Sequence, residues 1–352
     1  MKVFNKIFLL LTAAVLLYGC GYSSGQEAEV PASKDLITVG FTQVGAESDW
    51  RLASSASVQK ALTVENGFNL IFNDAQQKQE NQIKAVREFI DQNVDYIIID
   101  PITEIGWEST LMEARDAAIP VIIVDRRVDV QDPSLYTAWI GSDFKLEGDL
   151  ACGWLKAYLD AKGIHGRINI ADIQGTLDSS AQLGRTKALE EAEQRYPNWH
   201  IVAKESGEFT KAKGFEVMEK MLKTHRDSIN VVYCENDNEA FGAKEAIEKT
   251  GKHIGTDFEH GDIMLISFDS TRAGLLLTQS GDIGTNVECN PEYGPKLLKM
   301  IEALERGETL IHDQYIDEQI FSAEPLVVSV WTGSQKKKVT LLSDEIIKER
   351  NY

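Results

Sequence analysis

The sequence is poor in positive charge for its size. Its 352 residues carry 36 Lys and Arg against 55 Asp and Glu, which gives a formal net charge of −19. A chain of this charge is repelled by nucleic acid and by anionic membrane surfaces. Lys336, Lys337 and Lys338 form a short basic run without interleaved aromatics, a pattern typical of a solvated loop. The charge balance therefore argues against a nucleic-acid-binding protein.

Common catalytic and cofactor motifs are also missing from the sequence. The loop from Gly40 to Gly45, after the first predicted strand, lacks the G-x-G-x-x-G pattern of dinucleotide sites, and no Walker A sequence occurs. The six histidines show no H-E-x-x-H spacing. Gly21 to Gly25 matches G-x-S-x-G, but no strand precedes it and no helix follows it. We therefore expect no enzyme, no cofactor and no metal site.

Cysteine is scarce as well, with four residues and no C-x-x-C spacing. Such usage argues against a disulfide framework and against a zinc site. Cys152, Cys234 and Cys289 are predicted to be small buried hydrophobic residues. Cys20 has a different context, because it follows an apolar N-terminal stretch.

The first twenty residues have the features of an export signal. Lys2 and Lys6 precede the apolar run Ile7 to Leu17, which is too short for a membrane span of about 20 helical residues. The run ends in Leu-Tyr-Gly-Cys20, which resembles a bacterial lipobox, and Cys20 would then be lipidated. The alternative is a plain signal peptide with a chance cysteine. Residues 21–35, rich in Ser, Gly and Glu, are predicted to be a flexible tether.

From Leu36 onward, short apolar runs alternate with amphipathic helical stretches. The predicted strands of the first half are Leu36–Thr42, Phe68–Asp74, Tyr96–Asp100 and Pro120–Asp125. Lys78 to Gln92 and Glu108 to Ala118 have helical periodicity between them. Strands that are apolar along their whole length and separated by helices indicate a parallel sheet covered on both faces.

The same order of elements then begins again. Predicted strands are Arg167–Ile173, His200–Glu205, Val231–Cys234, Met264–Phe268 and Ile283–Val287, with helical stretches between them. The sequence thus predicts an α/β fold of two doubly wound parallel-sheet lobes. We expect residues 36–141 plus 288–313 in lobe 1 and residues 142–287 plus 314–352 in lobe 2. The helical stretch Pro291 to Arg306 is expected to cross back to lobe 1.

Polar side chains stand at the carboxyl ends of these strands, where open parallel sheets bind ligands. They are Asp74, Asp100, Asp125-Arg126, Gln174, Asn236-Asp237 and Asp269. Carboxylates accept hydrogen bonds, Arg donates them as a planar fork and Asn does both, which suits a ligand with many hydroxyls. Any one of these residues could instead cap the following helix or form a turn. Their occurrence in both lobes favours a ligand site.

Several stretches resemble periplasmic sugar-binding proteins related to ribose-binding protein, and in particular the galactofuranose-binding subgroup. The resemblance covers about residues 36 to 307 and weakens from about Gln314. It is carried by FTQVGAESDWR at Phe41–Arg51, QQKQENQ at Gln76–Gln82, Asp125-Arg126, Gln174-Gly175-Thr176, Arg185, Asn236-Asp237 and Asp269. The first two are long and specific, whereas Asp-Arg alone is common.

The resemblance implies a type I periplasmic binding protein fold that closes over one monosaccharide and delivers it to an ABC transporter permease. Sugar-binding residues implied by it are Glu47, Ser48, Asp49, Trp50, Arg51, Asp125 and Arg126 from lobe 1, and Arg185, Asn236, Asp269 and Glu288 from lobe 2 and its boundary. Asp49 stands where the subgroup has a small residue. Trp50 would lie against the apolar face of the sugar ring, and the protein would be a monomer.

Two other functions use the same kind of binding site. A sugar sensor would present its ligand to a membrane kinase or chemoreceptor, and the sequence does not separate it from a transport protein. The effector domain of a transcription regulator would need an N-terminal basic helix-turn-helix. An export signal and an acidic chain argue against that second alternative.

Overall fold

The computed structural model describes residues 36–258 and 260–352, apart from the side chain of Arg226. The predicted signal peptide (1–20), the tether (21–35) and the lipidation site Cys20 lie outside these residues. In the described part, no helix combines the length and the apolar character that a membrane crossing requires.

Strands and helices alternate through most of the described chain. The strands are β1 Ile37–Gln43, β2 Phe68–Asp74, β3 Tyr96–Ile99, β4 Val121–Val124, β5 Ala138–Gly141, β6 Ile168–Gln174, β7 Trp199–Ser206, β8 Val231–Cys234, β9 Met264–Asp269, β10 Ile283–Glu288, β11 Asp313–Tyr315, β12 Ile320–Ser322, β13 Ser329–Trp331 and β14 Lys336–Leu341. The α-helices are α1 Asp49–Ala61, α2 Gln79–Asp91, α3 Glu108–Asp116, α4 Phe144–Lys162, α5 Ser180–Arg195, α6 Lys211–His225, α7 Asp237–Lys249, α8 Arg272–Ser280, α9 Gly294–Glu305 and α10 Asp344–Glu349.

The strands form two sheets, as the repeated element order predicts. The first has the order β11-β5-β4-β3-β1-β2, and its neighbours all pair in parallel. The second has the order β13-β14-β12-β10-β9-β8-β6-β7. Its strands from β7 to β10 are parallel, and β12 joins β10 in the antiparallel direction. Both sheets place their first strand between the second and the third, which is the doubly wound arrangement.

Each sheet is covered by helices on both faces. In the first, one core cluster joins Phe41 and Val58 to Leu297 of α9, and the other joins Phe89 to Trp107. The second sheet has equivalent clusters, one including α4 and α5 and the other α6 and α7. α9 therefore belongs to the first half of the molecule, as expected from the sequence.

The chain passes between the sheets at three places, which we call the crossings. They are residues 142–143, 289–293 and 316–319. β11 pairs with β5 through Gln314 and Tyr315, so the first sheet extends two residues beyond the expected boundary after residue 313. β12, β14 and β13 then widen the second sheet. Cys152, Cys234 and Cys289 are buried and unpaired, as predicted.

Candidate functional site

A cavity of about 280 Å³ lies between the carboxyl ends of the two sheets. Its lining is Glu47, Ser48, Trp50, Arg51, Asp125, Arg126, Phe144, Ala181, Arg185, Phe209, Asn236, Asp269 and Cys289. Charged, polar and aromatic side chains from both halves of the chain therefore converge on one cavity.

The start of α1 forms one wall of the cavity. Ser48 is the N-cap of this helix, and its side chain accepts a hydrogen bond from the Arg51 backbone N–H. This cap fixes the first turn, so that Glu47 and Arg51 lie side by side, with Arg51 Nε donating to Glu47 Oε1 at 3.0 Å. Arg51 also pairs with Asp100 and, at 3.1 Å, with Asp125. Three carboxylates thus hold one guanidinium in a single orientation.

Arg126 lies beside this network but is less completely paired. Its Nη2 is 3.3 Å from Glu47 Oε1, and its Nη1 donates to the Ile102 carbonyl at 3.2 Å. Burial, and next the charge of Arg51, lowers the pKa of Arg126. Within the described part of the chain, Arg126 Nε and Glu47 Oε2 are buried atoms that have no hydrogen-bond partner. Such atoms carry a desolvation cost that a polar ligand would remove.

Arg185 is the corresponding cation on the opposite wall of the cavity, which belongs to the second half of the chain. It donates from Nε and Nη2 to Glu147 Oε2 at 2.8 and 2.7 Å, and Nη2 is 3.9 Å from Asp269. Burial raises the pKa of Glu147 and of Asp269, while Arg185 opposes the shift of both. Asn236 lines the same wall and is also the N-cap of α7, accepting from the Glu239 backbone N–H at 2.8 Å. Asn236 therefore both caps this helix and lines the cavity.

Asp125 and Asp269 occupy equivalent places in the two sheets. Each stands at the carboxyl end of the fourth parallel strand of its half, and each has a positive φ, 62° and 91° respectively. A side chain other than Gly adopts this conformation rarely, and such strain concentrates at functional sites. Both residues line the cavity.

Aromatic rings complete the lining. Trp50 is only 4% exposed, and its Nε1 donates to the carbonyl of Cys289 at 2.5 Å. The ring of Tyr293 lies edge-on to it at 6.1 Å, and Tyr293 Oη is 3.3 Å from Asp125 Oδ1. Phe209 lies under the guanidinium of Arg126, with 5.2 Å from Cζ to the ring centroid. Trp50 and Phe209 therefore give the cavity flat apolar surfaces beside its charged groups.

Hydrogen bonds across the mouth of the cavity join the two halves. The Asp49 backbone N–H donates to Asn238 Oδ1 at 3.1 Å, and the Glu104 N–H donates to the Asp178 carbonyl at 3.0 Å. The two halves are thus in a closed arrangement in this structure.

A buried carboxylate joins the three crossings behind the cavity. Glu318 Oε1 accepts from the Ser142 hydroxyl at 2.6 Å and from the Asn290 N–H at 2.8 Å. Glu147, Cys289 and Glu318 bring potential metal-ligand atoms within 4.8 Å of one another. Burial raises the pKa of Glu147 and of Glu318, so we interpret this cluster as two neighbouring carboxyl groups that share a proton.

Nine of the eleven sugar-binding residues expected from the sequence line the cavity. Asp49 has an exposed side chain and contributes only its backbone N–H across the mouth. Glu288 faces the other side of the strand end, where its carboxylate contacts Arg350 and Tyr352. The reason is strand geometry, since successive side chains alternate and the next residue, Cys289, faces the cavity.

Sequence reasoning missed four lining residues: Phe144, Ala181, Phe209 and Cys289. Two of them had a usable signal, because Phe209 and Cys289 follow the carboxyl ends of β7 and β10. Phe144 and Ala181 lie in the first turns of α4 and α5. Because both residues are apolar and lie in helices, the search for polar residues at strand ends did not find them.

The family model of a periplasmic binding protein domain matches residues 39–309. The chain belongs to this family. Galactofuranose-binding protein YtfQ of Escherichia coli K12 is 39% identical over 277 residues, which cover 78% of this chain and 84% of YtfQ. The α/β fold of two parallel-sheet lobes is therefore the type I periplasmic binding protein fold, as predicted.

Solved structures of proteins with bound furanose sugars are also similar to this one. A protein from Mycobacterium smegmatis in complex with β-D-fucofuranose is 39% identical with a TM-score of 0.76, over 81% of this chain and 91% of that one. The arabinose-transporter binding protein of Shewanella sp. ANA-3, bound to α- and β-L-arabinofuranose, is 41% identical with a TM-score of 0.75, over 82% and 93% of the two chains.

Proposed function

We propose that this chain is an extracytoplasmic solute-binding protein that captures a monosaccharide between its lobes and delivers it to an ABC permease. The observation that carries the proposal is the convergence of Arg126 from one lobe and Arg185 from the other on one small cavity. Each guanidinium is accompanied by carboxylates, and this mixture of donors and acceptors matches the hydroxyl groups of a sugar.

The ligand would be a small sugar in its furanose form, galactofuranose or a close analogue. YtfQ, named for galactofuranose, and the two proteins bound to fucofuranose and arabinofuranose are 39 to 41% identical to this chain. Trp50 would contact the apolar ring face, and Arg126 and Arg185 would donate to hydroxyl or ring oxygens. Ser48, Asn236 and the carboxylates of Glu47, Asp125 and Asp269 would contact the remaining hydroxyls, while Arg51 would orient the carboxylates.

Binding rather than catalysis is favoured by the chemistry of the lining. Cys289 is the one thiol in the lining, and burial raises the pKa of this thiol well above the ordinary value. The reactive thiolate is therefore disfavoured. We accordingly propose a protein that is not an enzyme and that releases its ligand unchanged.

Lobe closure would couple binding to delivery. We propose that residues 36–141 and 294–315 move as one lobe and residues 144–288 and 320–352 as the other, with the crossings as the hinge. A sugar that contacts both lobes interacts more strongly with the closed form and shifts the population toward it. The permease would then recognise the closed protein. Export and attachment to the outer face of the membrane through Cys20 complete the proposal.

A thermal-shift screen against monosaccharides tests the function directly. The panel would include D-galactose, L-arabinose, D-fucose, D-ribose and D-fructose, with a hexitol as an open-chain control. Bound ligand raises the melting temperature by mass action, so a furanose-forming aldose should raise it and the hexitol should not. Calorimetry on each hit should give one site per chain. Failure of every sugar to bind would overturn the proposal.

A further inference from the structure

The carboxylate of Glu288 is surrounded by donors from two distant parts of the chain. Glu288 ends β10, directly before the second crossing, and its side chain is 7% exposed. Its Oε1 accepts from Arg350 Nη1 at 2.5 Å and from Tyr352 Oη at 3.1 Å. Its Oε2 accepts from the Gln319 N–H at 3.0 Å, at the end of the third crossing. One carboxylate therefore joins two crossings to residues 350–352.

Residues 350–352 are in turn fixed to the body of the second lobe. The Arg350 guanidinium lies 5.2 Å from the ring centroid of Phe321 in β12 and is only 9% exposed. The main-chain oxygen of Tyr352 accepts from the Arg272 N–H at the start of α8, at 2.5 Å. α10 holds the segment in place through buried Ile347, which packs with Leu275 and Phe321. The donors to Glu288 are consequently attached to the second lobe at several points.

The main chain next to Glu288 leads directly to the cavity. The Glu288 N–H donates to the Gln319 carbonyl at 2.8 Å, and the Cys289 N–H lies 3.5 Å from the carbonyl of Asp269, a cavity residue. The Cys289 carbonyl then accepts from Trp50 Nε1 at 2.5 Å. The peptide between Glu288 and Cys289 thus has residues 350–352 on one side and the cavity on the other.

We infer that Arg350 and Tyr352 are positioning residues for ligand binding. By holding the Glu288 carboxylate, they fix the positions at which the second and third crossings join the second sheet. They thereby also fix the position of the Cys289 carbonyl, which accepts the hydrogen bond from Trp50 Nε1. Neither side chain lines the cavity. Both also lie outside residues 39–309, the region that the family model matches. The inference rests on the proposed function, since it concerns affinity for the sugar that the cavity binds.

The test compares affinity and stability in variants of the full chain. Arg350→Met keeps a long side chain next to Phe321 but removes the donors to Glu288, and Tyr352→Phe removes a single hydroxyl. Calorimetry with the sugar identified in the screen should show Kd raised by about 2- to 30-fold in Arg350→Met, the range of coupling effects from residues without ligand contact. Tyr352→Phe should have a smaller effect of the same sign. Arg350→Lys should recover most of the affinity.

Two controls separate positioning from general destabilisation. Lys348→Met removes a positive charge from the exposed face of α10, two residues earlier, and should leave Kd unchanged. In a Glu288→Gln background, Arg350→Met should cause little further loss, because both changes act through the same carboxylate. Native affinity in Arg350→Met and Tyr352→Phe, with only the melting temperature lowered, would overturn the inference. Absence of sugar binding by the native protein would instead overturn the proposed function.

Discussion

Trp50 Nε1 donates a 2.5 Å hydrogen bond to the carbonyl oxygen of Cys289, and this contact joins the first helix of one lobe to a crossing between the lobes. Because the Trp50 ring is anchored in this way, we expect its fluorescence to respond both to a ligand in the cavity and to lobe closure.

Ligand addition should change the intrinsic fluorescence of the protein through Trp50. The sequence contains six tryptophans, so the signal needs an assignment. Trp50→Phe should abolish the change while weakening binding, which a calorimetric titration would measure in parallel. Trp331→Phe is the matched control, because that side chain is 62% exposed on β13 and outside the cavity. An unchanged ligand response in Trp50→Phe would remove Trp50 from the proposed stacking role.

Arg126→Ala should weaken sugar binding by about 2 to 4 kcal/mol, because the Glu47 carboxylate and sugar oxygens lose a charged donor. That corresponds to roughly a 30- to 700-fold rise in Kd, measurable by calorimetry. Arg127→Ala is the control at the neighbouring position. The Arg127 guanidinium pairs with Asp313 at 3.0 Å and packs over Trp139, outside the cavity lining. Equal affinities of the two variants would exclude Arg126 from the site.

Gly175→Ala should disturb the cavity without changing its charge. A Cβ at this position would lie 1.9 Å from Cζ of Phe209, so the ring under Arg126 must move. We expect a loss of stability of about 1 to 3 kcal/mol from overpacking, together with weaker binding. Gly166→Ala, where a Cβ meets nothing within 4 Å, should change neither quantity. Urea unfolding and calorimetry would show both effects, and native binding by Gly175→Ala would mean that Phe209 is dispensable.

Glu318→Gln should flatten the dependence of stability on pH. Burial, and then the charge of Glu147, raises the pKa of Glu318 well above its ordinary value of 4.5. The folded protein therefore retains a proton that the unfolded chain releases above about pH 4.5. Its free energy of unfolding should fall as the pH rises above that value, by at most about 1.4 kcal/mol per pH unit for each proton.

A glutamine at position 318 imitates the protonated acid, since it can accept from Ser142 and Asn290 and donate to Glu147. Urea unfolding at pH 5, 6, 7 and 8 should show a smaller decline in the variant than in the native protein. Glu302→Gln, at an exposed position of α9, should keep the native decline. Parallel stability curves for Glu318→Gln and the native chain would contradict the shared proton.

Hydrophobic periodicity predicted the parallel strands from β1 to β4 and from β6 to β10 within one or two residues. No prediction was made for α4, a helix of 19 residues that contains Gly148 and Gly153, residues of low helix propensity. Packing explains these glycines. A Cβ on Gly148 would lie 2.4 Å from the Cβ of Ala188 in α5, and one on Gly153 would lie 3.2 Å from the Trp331 carbonyl. The interfaces that require glycine are formed by residues far away in the sequence.

The candidate site was predictable where a polar residue followed a strand or belonged to a motif. Glu47, Arg126 and Arg185 met that condition and line the cavity. Glu288 stands at the end of a strand but belongs to no motif, and its carboxylate contacts Arg350 and Tyr352 and not the cavity. The difference depends on which face of the strand end each side chain takes, and a shift of one residue reverses that face.

By itself the sequence determined the two doubly wound lobes and the set of polar residues at their strand ends, because hydrophobic periodicity and strand ends are local properties of the chain. Only the tertiary structure decided which residues line the cavity and how residues 350–352 meet Glu288. Those outcomes depend on the packing of segments widely separated in sequence, and no local pattern encodes the distance between them.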